Sequence, residues 1–132
     1  MEALVVIVII SILAGLALPR YHSSIAKTQE RDAVIHLCAL HAANVMYKSE
    51  RQPEGYLVGA NIDLPTINSS LRLNILANDM TYTYTGTVTN FTGSAAHPTG
   101  FIVRVDQRPL QQGVNPCCDP TGEVCPSLPD CV

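Results

Sequence analysis

Residues 2–19 read Glu-Ala-Leu-Val-Val-Ile-Val-Ile-Ile-Ser-Ile-Leu-Ala-Gly-Leu-Ala-Leu-Pro, and this stretch decides how the rest of the chain must be organised. Between Ala3 and Leu18 there is no charge, and Ser11 is the one polar side chain in sixteen residues. A helix over that run is ~24 Å long, a little short of a ~30 Å hydrocarbon core. Val5 to Ile10 is apolar on every face. Such a helix has to be covered all round, by lipid or by a large protein interior. The 114 residues that follow Leu18 are too few to supply that interior. A cleaved secretory signal fits poorly, because no Lys or Arg precedes the run and Glu2 stands where that charge belongs. Insertion into a membrane, or burial among copies of the same helix, remains. For Glu2 two placements are open: among headgroups at the interface, or against a cation of another chain, since an unpaired carboxylate is costly in lipid.

Outward from the rod, the pattern changes. From Ser23 to about Arg51, Ala26, Ala33, Leu37, Leu40 and Tyr47 recur at helical spacing, with Cys38, Ala42 and Val45 widening the stripe. Lys27, Glu30, Arg31 and Asp32 are expected on the opposite face, and Pro53 and Gly55 end the element. Rod and amphipathic segment together predict one helix of about 50 residues, roughly 75 Å if straight. Pro19 removes a backbone donor and crowds the carbonyl of Gly15, which predicts a bend or a locally unwound stretch between them.

Gln52 to Asn78 reads as an irregular connection, with Asp63-Leu-Pro-Thr a short strand or turn and an apolar stretch from Leu71 to Leu76. Met80 to Thr89 alternates without error and predicts a half-buried strand, Thr81, Thr83, Thr85, Thr87 and Thr89 facing out, Tyr82, Tyr84 and Val88 facing in. Phe101 to Asp106 is a second strand after a turn region from Gly93 to Gly100, and Leu110 to Val114 offers a third. The fold class is therefore α+β: a long N-terminal helix, apolar in its first half, packed on a small antiparallel sheet with a cysteine-rich C-terminal loop. Residues 1–24 form the rod, and residues 25–132 the head.

The start of the chain resembles the N-terminal helix of type IV pilins and their pseudopilin relatives. A glutamate, an apolar run and a proline coincide in register, and the Glu2-to-Pro19 interval is the family's own. The match is strong over about twenty residues and continues more weakly to about residue 65, with Tyr47, Lys48-Ser-Glu and the turn at Pro53 to Tyr56. The resemblance implies three more residues and a cleaved basic leader before Met1. It also implies a subunit held in the inner (plasma) membrane as a precursor, processed by a prepilin peptidase and built by assembly machinery into a helical filament of identical subunits at the cell surface. Glu2, Gly15 and Pro19 are the residues it assigns to assembly: Glu2 meets the N-terminal amine of a neighbour, and Gly15 to Pro19 loses helix on packing. No cofactor is implied. A pseudopilin of a type II secretion system and a membrane-tethered extracellular binding module are the alternatives.

Of the five cysteines, four (Cys117, Cys118, Cys125, Cys131) fall in the last sixteen residues, which indicates an oxidising compartment. They lack a CxxC pair and neighbouring histidines, so no metal site is assigned. Pro116, Pro120, Pro126 and Pro129 forbid most ladder hydrogen bonds there, so the segment is expected to be a stapled loop against the sheet edge. Two disulfides are expected, at least one through Cys117 or Cys118, with Cys38 either unpaired or tying the tail to the helix. Asn68-Ser-Ser and Asn90-Phe-Thr are candidate glycosylation sequons on an exported chain. His22, His36, His41 and His97 form no catalytic constellation, no phosphate loop or nucleophile motif is present, and the chain reads as a non-enzyme. A net charge of −3 without a basic run is unsuited to nucleic-acid backbones.

Overall fold

The computed structural model describes residues 2–132, with side chains from Ala3 onward. A single helix, α1 (Glu2–Glu50, 49 residues), leads into β1 (Gly59–Asp63), a short helix α2 (Leu64–Leu71), then β2 (Thr81–Gly86), β3 (Phe91–Ala96), β4 (Ile102–Asp106) and β5 (Cys117–Cys118). The strands make one antiparallel sheet in sequence order, β1 to β5. The C-terminal half of α1 lies across its middle, against β3 and β4.

The inner face of that sandwich is the core. Ala33, Leu37 and Leu40 of α1 meet Tyr82 and Tyr84 of β2, Phe91 and Ala95 of β3, and Val103 and Val105 of β4, all at most 4% exposed. Period-two alternation places Tyr82 and Tyr84 inward, while Thr81 and Thr85 are exposed and Thr83 is half-buried. Gly93 sits where Leu40 crosses closest; a Cβ there would lie 3.0 Å from Leu40 Cδ2 and 3.2 Å from Val105 Cγ1.

Several expectations are corrected. The helix is unbroken through Gly15 and Pro19, so in the single chain no stretch is unwound. One proline costs about 3 kcal/mol in a helix interior, which long helical flanks can carry. β2 stops at Gly86, and Thr87 to Asn90 is a turn: Thr87 N–H donates to Asn90 O (2.8 Å), and Val88 is 50% exposed rather than packed on the helix. Phe91 to Ala96, expected in part as a turn, is the central strand β3. Leu110 to Val114 is no strand but a turn closed by Val114 N–H and Asn115 N–H to Gln111 O. The tail, expected to hold without a strand, contributes the two-residue β5 on the open side of β4.

Asp63 is the N-cap of α2: its carboxylate accepts from Thr66 N–H (3.3 Å), Pro65 occupies the first turn, and Arg72 closes the helix in the left-handed region at φ 54°. α1 stops where sequence punctuation places it. Arg51 to Pro53 turn, and Gly55 (φ +82°) leaves no room for a Cβ beside the Val88 carbonyl.

Candidate assembly surface

The apolar run projects from the head with nothing over it. Every large side chain from Leu4 to Leu18 is 51–67% exposed, which for a helix means that only its own neighbours touch it. The helix is long and apolar enough to cross a membrane. Gly15 and Pro19 lie within this rod, and the space around Gly15 is open. Glu2 belongs to the first turn of α1, and its side chain lies outside the described residues.

Past the rod, the outer face of α1 stays partly apolar. Ile35 (63% exposed), Val45 (45%) and Met46 (62%) are open, as are Ala39 and Ala42. Ala42 and Val45 therefore do not widen the core stripe. Beside them a groove of about 450 Å³ runs between α1 and the end of α2, floored by Ala43, Tyr47, Leu71 and Leu73. Arg20, Lys27 and Arg31, spaced seven and four residues apart, are exposed on one side of the helix just beyond the apolar run.

The head side of α1 carries polar groups that the sequence reading assigned elsewhere or missed. Glu30, expected on the solvent face, is 1% exposed and accepts hydrogen bonds from the Ser127 backbone N–H (3.0 Å) and the Ser127 hydroxyl. Asn44 is fully buried and accepts from the Tyr84 hydroxyl (3.2 Å), which also reaches the Leu57 carbonyl (2.8 Å). His41 Nε2 bonds the Arg108 carbonyl (2.9 Å), and His36 Nδ1 the Tyr82 hydroxyl (2.8 Å). His97 stacks on Phe101 at 4.5 Å and bonds Gln29 Oε1 (2.6 Å), tying the β3–β4 turn to the helix. Burial pushes Tyr82 and Tyr84 up to about 12. These contacts hold the head on its helix and converge on no open pocket. The signal for Glu30 was available: it falls on the helical spacing of Ala26, Ala33 and Leu37, and its charge alone placed it outside.

The tail is closed by two bridges, Cys117–Cys131 and Cys118–Cys125, each member of the adjacent pair reaching a different partner. Cys38 is unpaired and half-buried, and burial pushes its thiol up. Backbone bonds seat the loop on the sheet: Asp119 N–H on Ile102 O, Glu123 N–H on Gly100 O and Cys118 N–H on Pro129 O. Arg104 pairs with Asp119 across the β4–β5 edge (3.4 Å), and Arg108 with Asp106 (2.8 Å). Among the described residues no group of three metal-ligating side chains forms.

The two sequons differ. Asn68 lies in α2 with its amide committed: Nδ2 donates to Ile75 O and Oδ1 accepts from Ile75 N–H, both at 3.0 Å. A glycan on that nitrogen would break the clasp. Asn90 is exposed at the β2–β3 turn, where only its backbone N–H and carbonyl bond Thr87 among the described residues. Comparison of the chain with family models, with curated proteins and with solved structures yields no match.

Proposed function

We propose that this chain is a structural subunit of an extracellular filament of the type IV pilus kind, polymerising through the apolar half of α1. The observation that carries the reading is an all-round apolar rod that continues as one helix into a disulfide-closed head and is left bare by it. Eleven large aliphatic side chains at ~1 kcal/mol each amount to on the order of 10 kcal/mol of unfavourable exposure in water. Lipid meets that demand before assembly, and identical rods meet it afterwards. Because each rod covers a neighbour with a different face from the one it presents, the contact is heterologous and continues as a helical polymer. The membrane-facing precursor and the peptidase and machinery that process it follow from the sequence resemblance. The heads, held away from the axis, carry the adhesive or motility surface.

Immunogold electron microscopy of material sheared from the surface of expressing cells, with antibody to the head, tests this. Decorated fibres of uniform width support the filament. Label confined to the membrane fraction, with no fibre, would replace it with a tethered module.

A further inference from the structure

Glu30 is the one acidic side chain among the described residues to be fully enclosed, at 1% exposure. No lysine, arginine or histidine among them lies within ion-pairing distance of it. Both carboxylate oxygens are instead held by a single residue 97 positions away: Ser127 donates its backbone N–H to Oε2 (3.0 Å) and its hydroxyl to Oε1. A carboxylate withdrawn from water is tolerated only while hydrogen bonds replace its hydration. The helix can keep Glu30 against the head only as long as Ser127 is there to meet it.

Beyond Glu30, Ser127 is held through its neighbours: Leu128 packs against the core, and Pro129 O accepts from Cys118 N–H (2.8 Å). Among the described residues, Val124 to Leu128 makes no backbone–backbone hydrogen bond, and Pro126 and Pro129 remove two donors around it. Two bridges close the segment covalently on either side, Cys118–Cys125 two residues before Ser127 and Cys117–Cys131 four after. We propose that Glu30 and Ser127 form a latch that reads the redox state of the tail: α1 docks on the sheet with a satisfied carboxylate only when the two disulfides present Ser127 to it. Closing both bridges removes four electrons and four protons from four thiols, delivered to a thiol–disulfide oxidant of the compartment in which the head folds. Glu30 itself is neither oxidised nor reduced and responds through position. A chain still reduced therefore carries an open head, and the covalent state of the C-terminus is transmitted to the segment of α1 from which the rod emerges. The latch is independent of filament formation and would operate equally in a tethered monomer.

The test is a comparison of the full-length chain in detergent micelles, oxidised and reduced, as wild type, Glu30→Gln and Ser127→Ala. The readout is amide hydrogen exchange at Ser127 and along residues 30–40. In the oxidised protein Glu30→Gln removes the charge and leaves one neutral acceptor oxygen for the two Ser127 donors. Exchange should then quicken by roughly tenfold to a hundredfold, the range for losing hydrogen bonds to a charged group. Reduction of the wild type should reach similar rates, and Glu30→Gln should then add less than about twofold. Equal acceleration by Glu30→Gln in both redox states would overturn the proposal, as would unchanged exchange in the oxidised variant. Should Glu30→Gln fail to fold, Ser127→Ala, at an exposed tail position, carries the same comparison.

Discussion

Leu37 and Ile35 sit two residues apart on α1 and give the most exacting check on how the helix meets the head. Leu37 is fully buried in the core between α1 and the sheet, whereas Ile35 is 63% exposed on the far side. Truncating Leu37 to alanine leaves a cavity in a close-packed core, for which leucine deletions cost ~2.7–5 kcal/mol. For a head of this size each kcal/mol moves the melting temperature by about 4–8 °C, so Leu37→Ala should lower it by roughly 11–40 °C. Ile35→Ala removes a side chain that touches little, and its effect should stay within about 0.5 kcal/mol, or ~4 °C. The assay is thermal unfolding of the full-length chain in detergent micelles. It should be followed by near-ultraviolet circular dichroism, because the buried tyrosines report the head while the rod stays helical in detergent. Equal shifts for the two variants would refute the assignment of the buried face.

Three further outcomes are expected. At Asp106 burial pushes the carboxyl up, but the hydrogen bonds and charge of Arg108 outweigh it; at Asp119 the Thr121 bonds and Arg104 do the same, so both lie below the ordinary carboxylate value. Groups with a lowered folded value stabilise above the unfolded value and lose that contribution as pH falls through the folded one, so head stability should decline below about pH 4, and Arg108→Ala should blunt the decline in an acid titration. Non-reducing peptide mapping should recover Cys117–Cys131 and Cys118–Cys125 with one alkylatable thiol, Cys38, reacting slowly because burial raises it. Glu2→Ala should abolish fibres in sheared material while the chain still accumulates in the membrane, since removing one partner of a buried ion pair costs ~3–5 kcal/mol.

What sequence could show followed from periodicity, and what it hid followed from contacts made at a distance. The helix and the inward Tyr82 and Tyr84 have local signals at period 3.6 or 2, and Pro53 and Gly55 mark the helix end just before them. β3 has no such signal: Phe91-Thr-Gly-Ser-Ala-Ala resembles a turn because small residues are required where Leu40 crosses the sheet. Val88 continues the alternation of β2 in sequence, yet the turn at Thr87 to Asn90 takes it out of the sheet. β5 is invisible for a similar reason, its two residues being held by disulfides and by Val103 and Arg104 of β4 rather than by propensity. Glu30 was misplaced because charge argues for solvent, and only Ser127, near the other end of the chain, makes its burial tolerable. The rod was the most legible part, since its composition leaves few environments open to it. Its unbroken course through Pro19 could not be read from the proline alone.

The central claim is that identical rods cover one another in a fibre, and helical reconstruction of sheared fibres by electron cryomicroscopy examines it most directly. The account predicts an axial bundle of apolar helices built from residues up to about Leu18, with the five-stranded heads and their disulfide-closed tails ringed outside and no second protein in the core. Fibres whose axis is built from the heads, or from another chain, with the rods left toward solvent, would contradict it.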